Sequence, residues 1–324
     1  MKMLKKYYHG RSVLVTGGAG FIGSHIAEAL LSLGASVTVL DNFSTGSWDN
    51  IRLIKKDISV IEGDVRDKEL VQSCVKKADY IFHCAALVSI YQSIENPNLS
   101  HEINYQGTKN IIDSLIPQKK QRLILSSTSA VYGNQDGTCY ENSLTDPLSP
   151  YAQDKLLAES LVKQAVESRT LSAGVVLRYF NVCGERQSPD GAYASVIPLF
   201  KKALIDGAPI TIFGDGNQVR DFISVHEVVE ANLVTAVSVQ DDFLLCNIAT
   251  GESINLHRLL LNLENETGKK ATNITFKPKR EGEIKYSRAS VEKWKRIKKE
   301  FYDTKENDMS LCMTTKSISS QKDV

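Results

Sequence analysis

The sequence predicts an α/β protein: a parallel, doubly wound sheet followed by a smaller C-terminal α/β region. Three observations predict it. Short β-branched runs alternate with longer helical patterns through the first two thirds of the 324 residues, as in strands joined by crossover helices. A glycine-rich turn stands between the first such run and the first helical pattern. After Asn181 the alternation stops and a polar, turn-rich stretch begins.

In chain order, strands are expected over residues 12–16, 36–40, 59–62, 79–83, 122–127 and 174–179. Helices are expected over 22–33, 68–77, 99–115 and 151–168. In such a sheet ligands sit at the carboxyl ends of the strands. The division expected is 1–180 for a cofactor-binding unit, 181–294 for a substrate-facing region, and 295–324 for a divergent polar tail, a solvated helix passing into disorder.

Composition excludes several classes. The 39 basic and 38 acidic side chains leave no footprint for nucleic acid and no polybasic membrane surface. No apolar run approaches the ~20 residues of a membrane span. Residues 1–11 are basic without an apolar core, unlike a signal peptide. The six cysteines form no CxxC pair, so reduced thiols in a cytoplasmic protein are expected. With no HExxH helix and no Cys/His cluster, no metal site is expected.

Gly17-Gly-Ala-Gly20-Phe21-Ile22-Gly23 follows the first strand and opens the first helix. Its glycines permit a tight turn and close approach of backbone N–H groups to a pyrophosphate at the helix N-terminus. That context makes the first unit a Rossmann-type dinucleotide fold. Asp41 ends the second strand, where a carboxylate binds both ribose hydroxyls of NAD and repels a 2′-phosphate. Asp64, after the third strand, reads either as a contact to adenine or as a helix N-cap.

Tyr151 and Lys155 lie one helical turn apart on one face. A lysine ammonium beside a tyrosine favours phenolate, lowering a pKa otherwise ~10, and yields a base for a sugar hydroxyl. The spacing alone is weak, because Tyr105 and Lys109 repeat it. Position separates them: Tyr151 opens the helix after the strand that ends at Ser126-Ser127-Thr128, so the Thr128 hydroxyl can meet the phenol. Tyr105 reads as helix surface or interface. Thr128 reads as a partner in proton transfer or as a strand-end cap. Ser126 and Ser127 support the cofactor or the strand end, roles the sequence does not separate.

Together GGAGFIGSH, LDN, GDVRD, HCAA, SSTSAVYG, SPYAQDK, LRYFNVCG and GDGNQVRDF resemble the nucleotide-sugar epimerases and dehydratases of the extended short-chain dehydrogenase/reductase type. The resemblance runs from about residue 11 to residue 294 and is nearest to UDP-glucose and UDP-N-acetylglucosamine 4-epimerases. It implies NAD as cofactor and a UDP-sugar as substrate. Gly17, Gly20, Phe21, Ile22 and Gly23 would hold the pyrophosphate, Asp41 and Asn42 the adenosine ribose, Asp64 and Val65 the adenine. Ala85, Ala86, Asn104 and Ser126 would steady the nicotinamide half, flanked by Tyr179 and Phe180. Tyr151, Lys155 and Thr128 match the catalytic positions. Asn181, Arg220 and Arg280 would hold the diphosphate, Phe213 and Val196 the base, and Glu283 the uridine ribose. Ser287 matches a residue that gates the sugar pocket, where a small side chain admits an N-acetyl group. A homodimer through the helices over 99–115 and 151–168 is also implied.

Three departures stand out. Ala130 occupies a position where the family's dehydratases and decarboxylases carry a carboxylate. Val88 replaces a lysine found near the cofactor in some epimerases. The stretch after Trp294 lacks the family's usual closing segment. A decarboxylase, a 4-keto reductase or a non-catalytic NAD-binding protein are the rival readings.

Overall fold

The strands form where β-branched residues repeat with period two. A computed structural model describes residues 2–188, 195–239, 242–279 and 285–303. β1 (Ser12–Thr16), β2 (Ser36–Asp41), β3 (Ser59–Glu62), β4 (Tyr80–His83), β5 (Arg122–Thr128) and β6 (Ala173–Tyr179) match the expected strands to within a residue at either end. Three strands follow: β7 (Asn181–Cys183), β8 (Ile210–Phe213) and β9 (Val219–Ser224). The last three are β10 (Phe243–Ile248), β11 (Ser253–Asn255) and β12 (Ile274–Lys277).

Among the described residues the main sheet has seven strands in the order β10-β6-β5-β4-β1-β2-β3, every pair parallel. The order reverses between β1 and β4, which opens a crevice for a dinucleotide at their carboxyl ends. A three-stranded sheet, β11-β9-β7, and a two-stranded one, β12-β8, lie beyond it.

The helices are α1 (Lys5–Tyr8), α2 (Phe21–Ser32), α3 (Lys68–Val75), α4 (Ile90–Glu95), α5 (Pro97–His101), α6 (Gly107–Asp113), α7 (Pro150–Glu167), α8 (Val196–Asp206), α9 (Val225–Ser238) and α10 (Leu256–Thr267). Alternate strand residues face opposite layers. Val13, Val15, Val37, Val39 and Phe82 pack against Ile26 and Leu30 of α2 and Val228 and Leu233 of α9. Leu14, Leu40, Ile81 and Leu123 pack against Val71 of α3, Ile111 of α6 and Ala158 and Val162 of α7. A separate core joins Phe200 and Leu204 of α8 to Ile210, Ile212, Leu259 and Leu263.

The structure draws the internal boundary differently from a cut at residue 181. β10 hydrogen-bonds to β6 as the seventh sheet strand, and α9 packs on α2 in the same layer. The chain leaves the cofactor unit after β6, returns for α9 and β10, and leaves again. The helix expected over 99–115 is also not uniform: a π-helical turn, Glu102–Gln106, separates α5 from α6. The helix expected at the start of the tail is present but not wholly solvated. Residues 292–303 are helical, and Trp294 and Phe301 of that helix are buried in the main core. No helix among the described residues is long and apolar enough to cross a membrane.

Candidate active site

The cofactor positions gather at the carboxyl ends of the strands. After β1, Gly17 turns with φ +67°, and a Cβ there would stand 2.6 Å from the Ala85 nitrogen. A Cβ on Gly23 would meet the Gly17 carbonyl oxygen at 2.1 Å, so helix and turn touch backbone to backbone. Gly20 is the N-cap of α2 and offers no side-chain cap, leaving the first N–H groups for an anion.

Asp41 ends β2, buried at 7% exposure. Its carboxylate accepts from the Ala19 N–H at 2.8 Å and the Phe43 N–H at 2.8 Å, one bond per oxygen, so each oxygen keeps a lone pair for a ribose hydroxyl. Asn42 donates to Asp64 at 2.8 Å. Asp64 is not a helix cap; Asp67 caps α3. Burial would raise the Asp64 carboxyl, but hydrogen bonds from Arg66 and Asn42 outweigh it and bring it down to about 2. Val65 beside it is buried, with its carbonyl held by Asn110 at 3.0 Å.

Past β4, Ala85 and Ala86 are half-buried. The turn is fixed by Asn104 of the π-helical segment, which accepts from the Leu87 N–H at 3.0 Å and donates to the Leu87 carbonyl at 3.1 Å. Asn104 therefore acts through the loop. Sequence reasoning missed a buried chain behind it. Ala85 N–H donates to Thr16 Oγ1 at 3.4 Å, Thr16 pairs with His83 Nδ1 at 2.7 Å, and His83 Nε2 pairs with Thr108 Oγ1 at 3.0 Å. Thr108 donates to the Asn104 carbonyl at 2.7 Å, so it accepts from His83, which sets the Nε2–H tautomer. Burial, and then Lys155, press the His83 imidazole down to about 3. The HCAA motif held His83 in view, but nothing in its spacing announced Thr16 and Thr108 as partners.

The catalytic positions meet over β5 and α7. Ser149 caps α7 by accepting from the Ala152 N–H, with Pro150 in the first turn, so the helix starts just before Tyr151. Tyr151 is 8% exposed and Lys155 2%. The Thr128 hydroxyl is hydrogen-bonded to the Tyr151 phenol and accepts from the Ala130 N–H at 3.1 Å, so it both caps and contacts the phenol. The expected electrostatics need correction. Burial pushes the Tyr151 phenol up to about 12, opposed only by the Thr128 hydrogen bond. Burial likewise pulls the Lys155 amine down to about 8, against Cys84, Glu159 and Asp154. The protein by itself holds a neutral phenol.

One observation tests whether NAD fits. Lys155 Nζ is fully buried with no hydrogen-bond partner among the described residues, a costly state unless a ligand hydroxyl completes it. It faces His83 and Cys84 at the carboxyl end of β4, beside the switch in strand order, so the residues fit the cofactor. Ser126 bonds Cys84 at 3.3 Å and Tyr179 at 3.2 Å, and Tyr179 also pairs with Asn232 of α9. Phe180 is buried beside Tyr132. The other pair, Tyr105 and Lys109, is separate: Tyr105 stacks on His101 and Lys109 bonds Asp113.

The expected substrate residues lie in the outer sheets. Asn181 on β7 donates to the Asp221 carbonyl at 3.1 Å, and Arg220 on β9 reaches the Val219 carbonyl at 2.9 Å, so one small sheet carries both. Phe213 ends β8 and Val196 opens α8. Ser287 is buried and its N–H bonds the Val219 carbonyl at 3.1 Å. Arg280 and Glu283 lie outside the described residues.

The profile of the NAD dependent epimerase/dehydratase family matches residues 13–248. A putative UDP-glucose 4-epimerase of Methanocaldococcus jannaschii is 37% identical over 275 residues, 84% of this chain and 87% of that protein. A UDP-N-acetyl-alpha-D-glucosaminuronate decarboxylase of Bacillus cytotoxicus is 36% identical over 227 residues, 68% and 69% of the two chains. The solved UDP-N-acetylglucosamine 4-epimerase of Methanobrevibacter ruminantium M1, in complex with UDP-N-acetylmuramic acid, superposes with a TM-score of 0.84 at 35% identity, covering 89% of this chain and 92% of that one. A crevice shaped for a dinucleotide, a buried amine awaiting a partner inside it, and these likenesses lead to one conclusion: the chain is an enzyme of the NAD dependent epimerase/dehydratase family, with NAD as its cofactor.

Proposed function

We propose that the enzyme inverts C4 of a UDP-linked hexose through a transient 4-keto sugar, with Tyr151 as the base. The observation that carries this reading is the contact of Tyr151 with Thr128, one turn from an unpartnered buried Lys155. Bound NAD supplies the two-electron acceptor and donor, and its positive ring lowers the phenol that burial has raised. Lys155 would hold the nicotinamide ribose and add positive charge. Tyr151 takes the C4 hydroxyl proton, with Thr128 bonded to the same oxygen, as the C4 hydrogen leaves as hydride for the nicotinamide. Once the 4-keto sugar has turned, hydride returns to the other face of C4 and Tyr151 returns the proton to the oxygen.

Inversion requires the nucleotide to stay gripped while the sugar turns. Arg220 and Asn181 on adjoining strands would grip the diphosphate, with Arg280 as a second cation. Phe213 would stack on the base, Val196 would offer it backbone, and Glu283 would bind the uridine ribose. The substrate region then comprises β7–β9, β11, β12, α8 and α10. Ser287, backbone-bonded to the residue before Arg220, would leave room for an N-acetyl group, so UDP-GlcNAc/UDP-GalNAc would be converted as well as UDP-Glc/UDP-Gal. Ala130 supplies no carboxylate for elimination or decarboxylation chemistry, which favours epimerisation over the decarboxylase reading that one relative raises.

Five free cysteines among the described residues accord with a reducing, cytoplasmic setting. The exposed Leu157 of α7 accords with the homodimer expected through the helices over 99–115 and 151–168, beside which α4 adds exposed Ile90, Tyr91 and Ile94; light scattering at twice the chain mass would register it and at the chain mass would refute it. Each sugar nucleotide is to be incubated with the wild type and with Tyr151→Phe, and the products read by anion exchange and NMR. The wild type gives the C4 epimer of both; the variant retains NAD and loses turnover by about 100-fold or more. A decarboxylated product, rejection of the N-acetyl pair, or a variant near the wild-type rate each removes its part of the reading.

A further inference from the structure

Behind the catalytic helix lies a buried carboxylate that the mechanism above does not use. Glu159 follows Lys155 by one turn on the same face of α7 and is 5% exposed. It accepts from the Ser127 hydroxyl at 2.5 Å, and Ser127 is the neighbour of Thr128 at the end of β5. It also accepts from Arg178 Nε at 3.0 Å and from a terminal guanidinium nitrogen at 2.6 Å. Arg178 lies opposite Ser127 in the β5–β6 register. One carboxylate thus binds the ends of two adjacent strands to the helix that carries Tyr151 and Lys155.

The other groups that face Lys155 are His83 on β4, Cys84 just after it, and Asp154 on α7. His83 is neutral and burial pushes the Cys84 thiol up to about 11, so neither brings a negative charge at neutral pH. Asp154 is engaged on α5, accepting from Ser100 at 2.7 Å and pairing with His101 at 2.8 Å.

We infer that Glu159 is a positioning residue for the reaction: it sets the register of α7 against the end of β5, aligning Tyr151 with Thr128, and places a negative charge beneath the Lys155 ammonium. Arg178 neutralises part of that charge, so the pair is tolerated in the interior. The alignment half rests on the proposed catalytic role of Tyr151; the charge half concerns NAD alone.

The test measures NAD affinity against pH for the holoenzyme stripped and refilled, alongside kcat and KM against pH with the sugar nucleotide. Lys155 binds the ribose best as a cation, so affinity falls as pH rises through its titration. In Glu159→Gln the midpoint of that fall moves down by about one pH unit, and the alkaline limb of kcat moves with it. Ser127→Ala keeps the charge: its midpoint stays, while kcat drops by about tenfold with KM little changed. An unmoved midpoint in Glu159→Gln overturns the charge role, and an unchanged kcat in Ser127→Ala overturns the alignment role. If Glu159→Gln does not fold, Glu159→Gln/Arg178→Met, which removes both buried charges, is expected to move the midpoint the same way by less, and an unmoved midpoint there overturns the charge role. The NAD arm needs no sugar, so a wrong substrate assignment would silence the kinetic arm and leave the affinity arm readable.

Discussion

His83 is a base that the fold keeps from protonating. Its two nitrogens are committed, one accepting and one donating, and the imidazole is fully buried. Its pKa is pressed from 6.5 to about 3. The unfolded chain takes up this proton first, so the stabilising difference is complete above pH ~6.5 and is lost as pH falls toward 3. A plot of Tm against pH should therefore fall more steeply below pH ~6.5 in the wild type than in His83→Asn. Parallel slopes would mean that His83 does not govern acid sensitivity. At this scale sequence identified side chains better than their states. Tyr151, Lys155 and Thr128 converge as spacing and strand position indicated. Their protonation does not follow from spacing, because burial, a property of the whole fold, is the largest cause of both shifts. Asp64 shows the same limit: an adenine contact and a helix cap look alike in sequence, until Asp67 is seen to take the cap.

At the scale of elements, short apolar, β-branched runs and helical patterns located β1 through β6, because all but the edge strand β3 are largely buried on both faces. β10 and α9 escaped that reading. They follow the short strands and irregular loops of the outer sheets, and no local signal says that the chain returns to the first sheet. The helix over 292–303 was expected as a solvated one, and its charge concealed its buried face. Its exposed face carries Lys295, Arg296 and Lys299, while Trp294 and Phe301, at 5% and 6% exposure, supply the buried face. Spacing of seven residues places these two on one side of a helix. Trp294→Ala should cost about 3–5 kcal/mol of stability, measured by denaturant unfolding with NAD content as a check on the crevice. A loss below about 1 kcal/mol would show that this helix is peripheral to the core.

At the scale of the molecule, one arrangement serves two tasks. The main sheet offers a rigid row of strand ends on which a dinucleotide can lie, and its two faces are sealed by separate apolar cores. The outer sheets stand on their own core, so a nucleotide could be held there while the sugar moves against a fixed Tyr151. The substrate side was the less legible part, since its residues come from short strands of two small sheets, and Ser287 is placed by long-range bonds to Val219 and Ser253 that no local pattern announces. The central claim is that C4 is oxidised and reduced in place, at one face of one base. The direct test is conversion of a UDP-hexose carrying deuterium at C4, followed by NMR of the product in ordinary water. The account predicts the opposite C4 configuration with the deuterium still on C4; deuterium lost to solvent, or a product altered at another carbon, would contradict it.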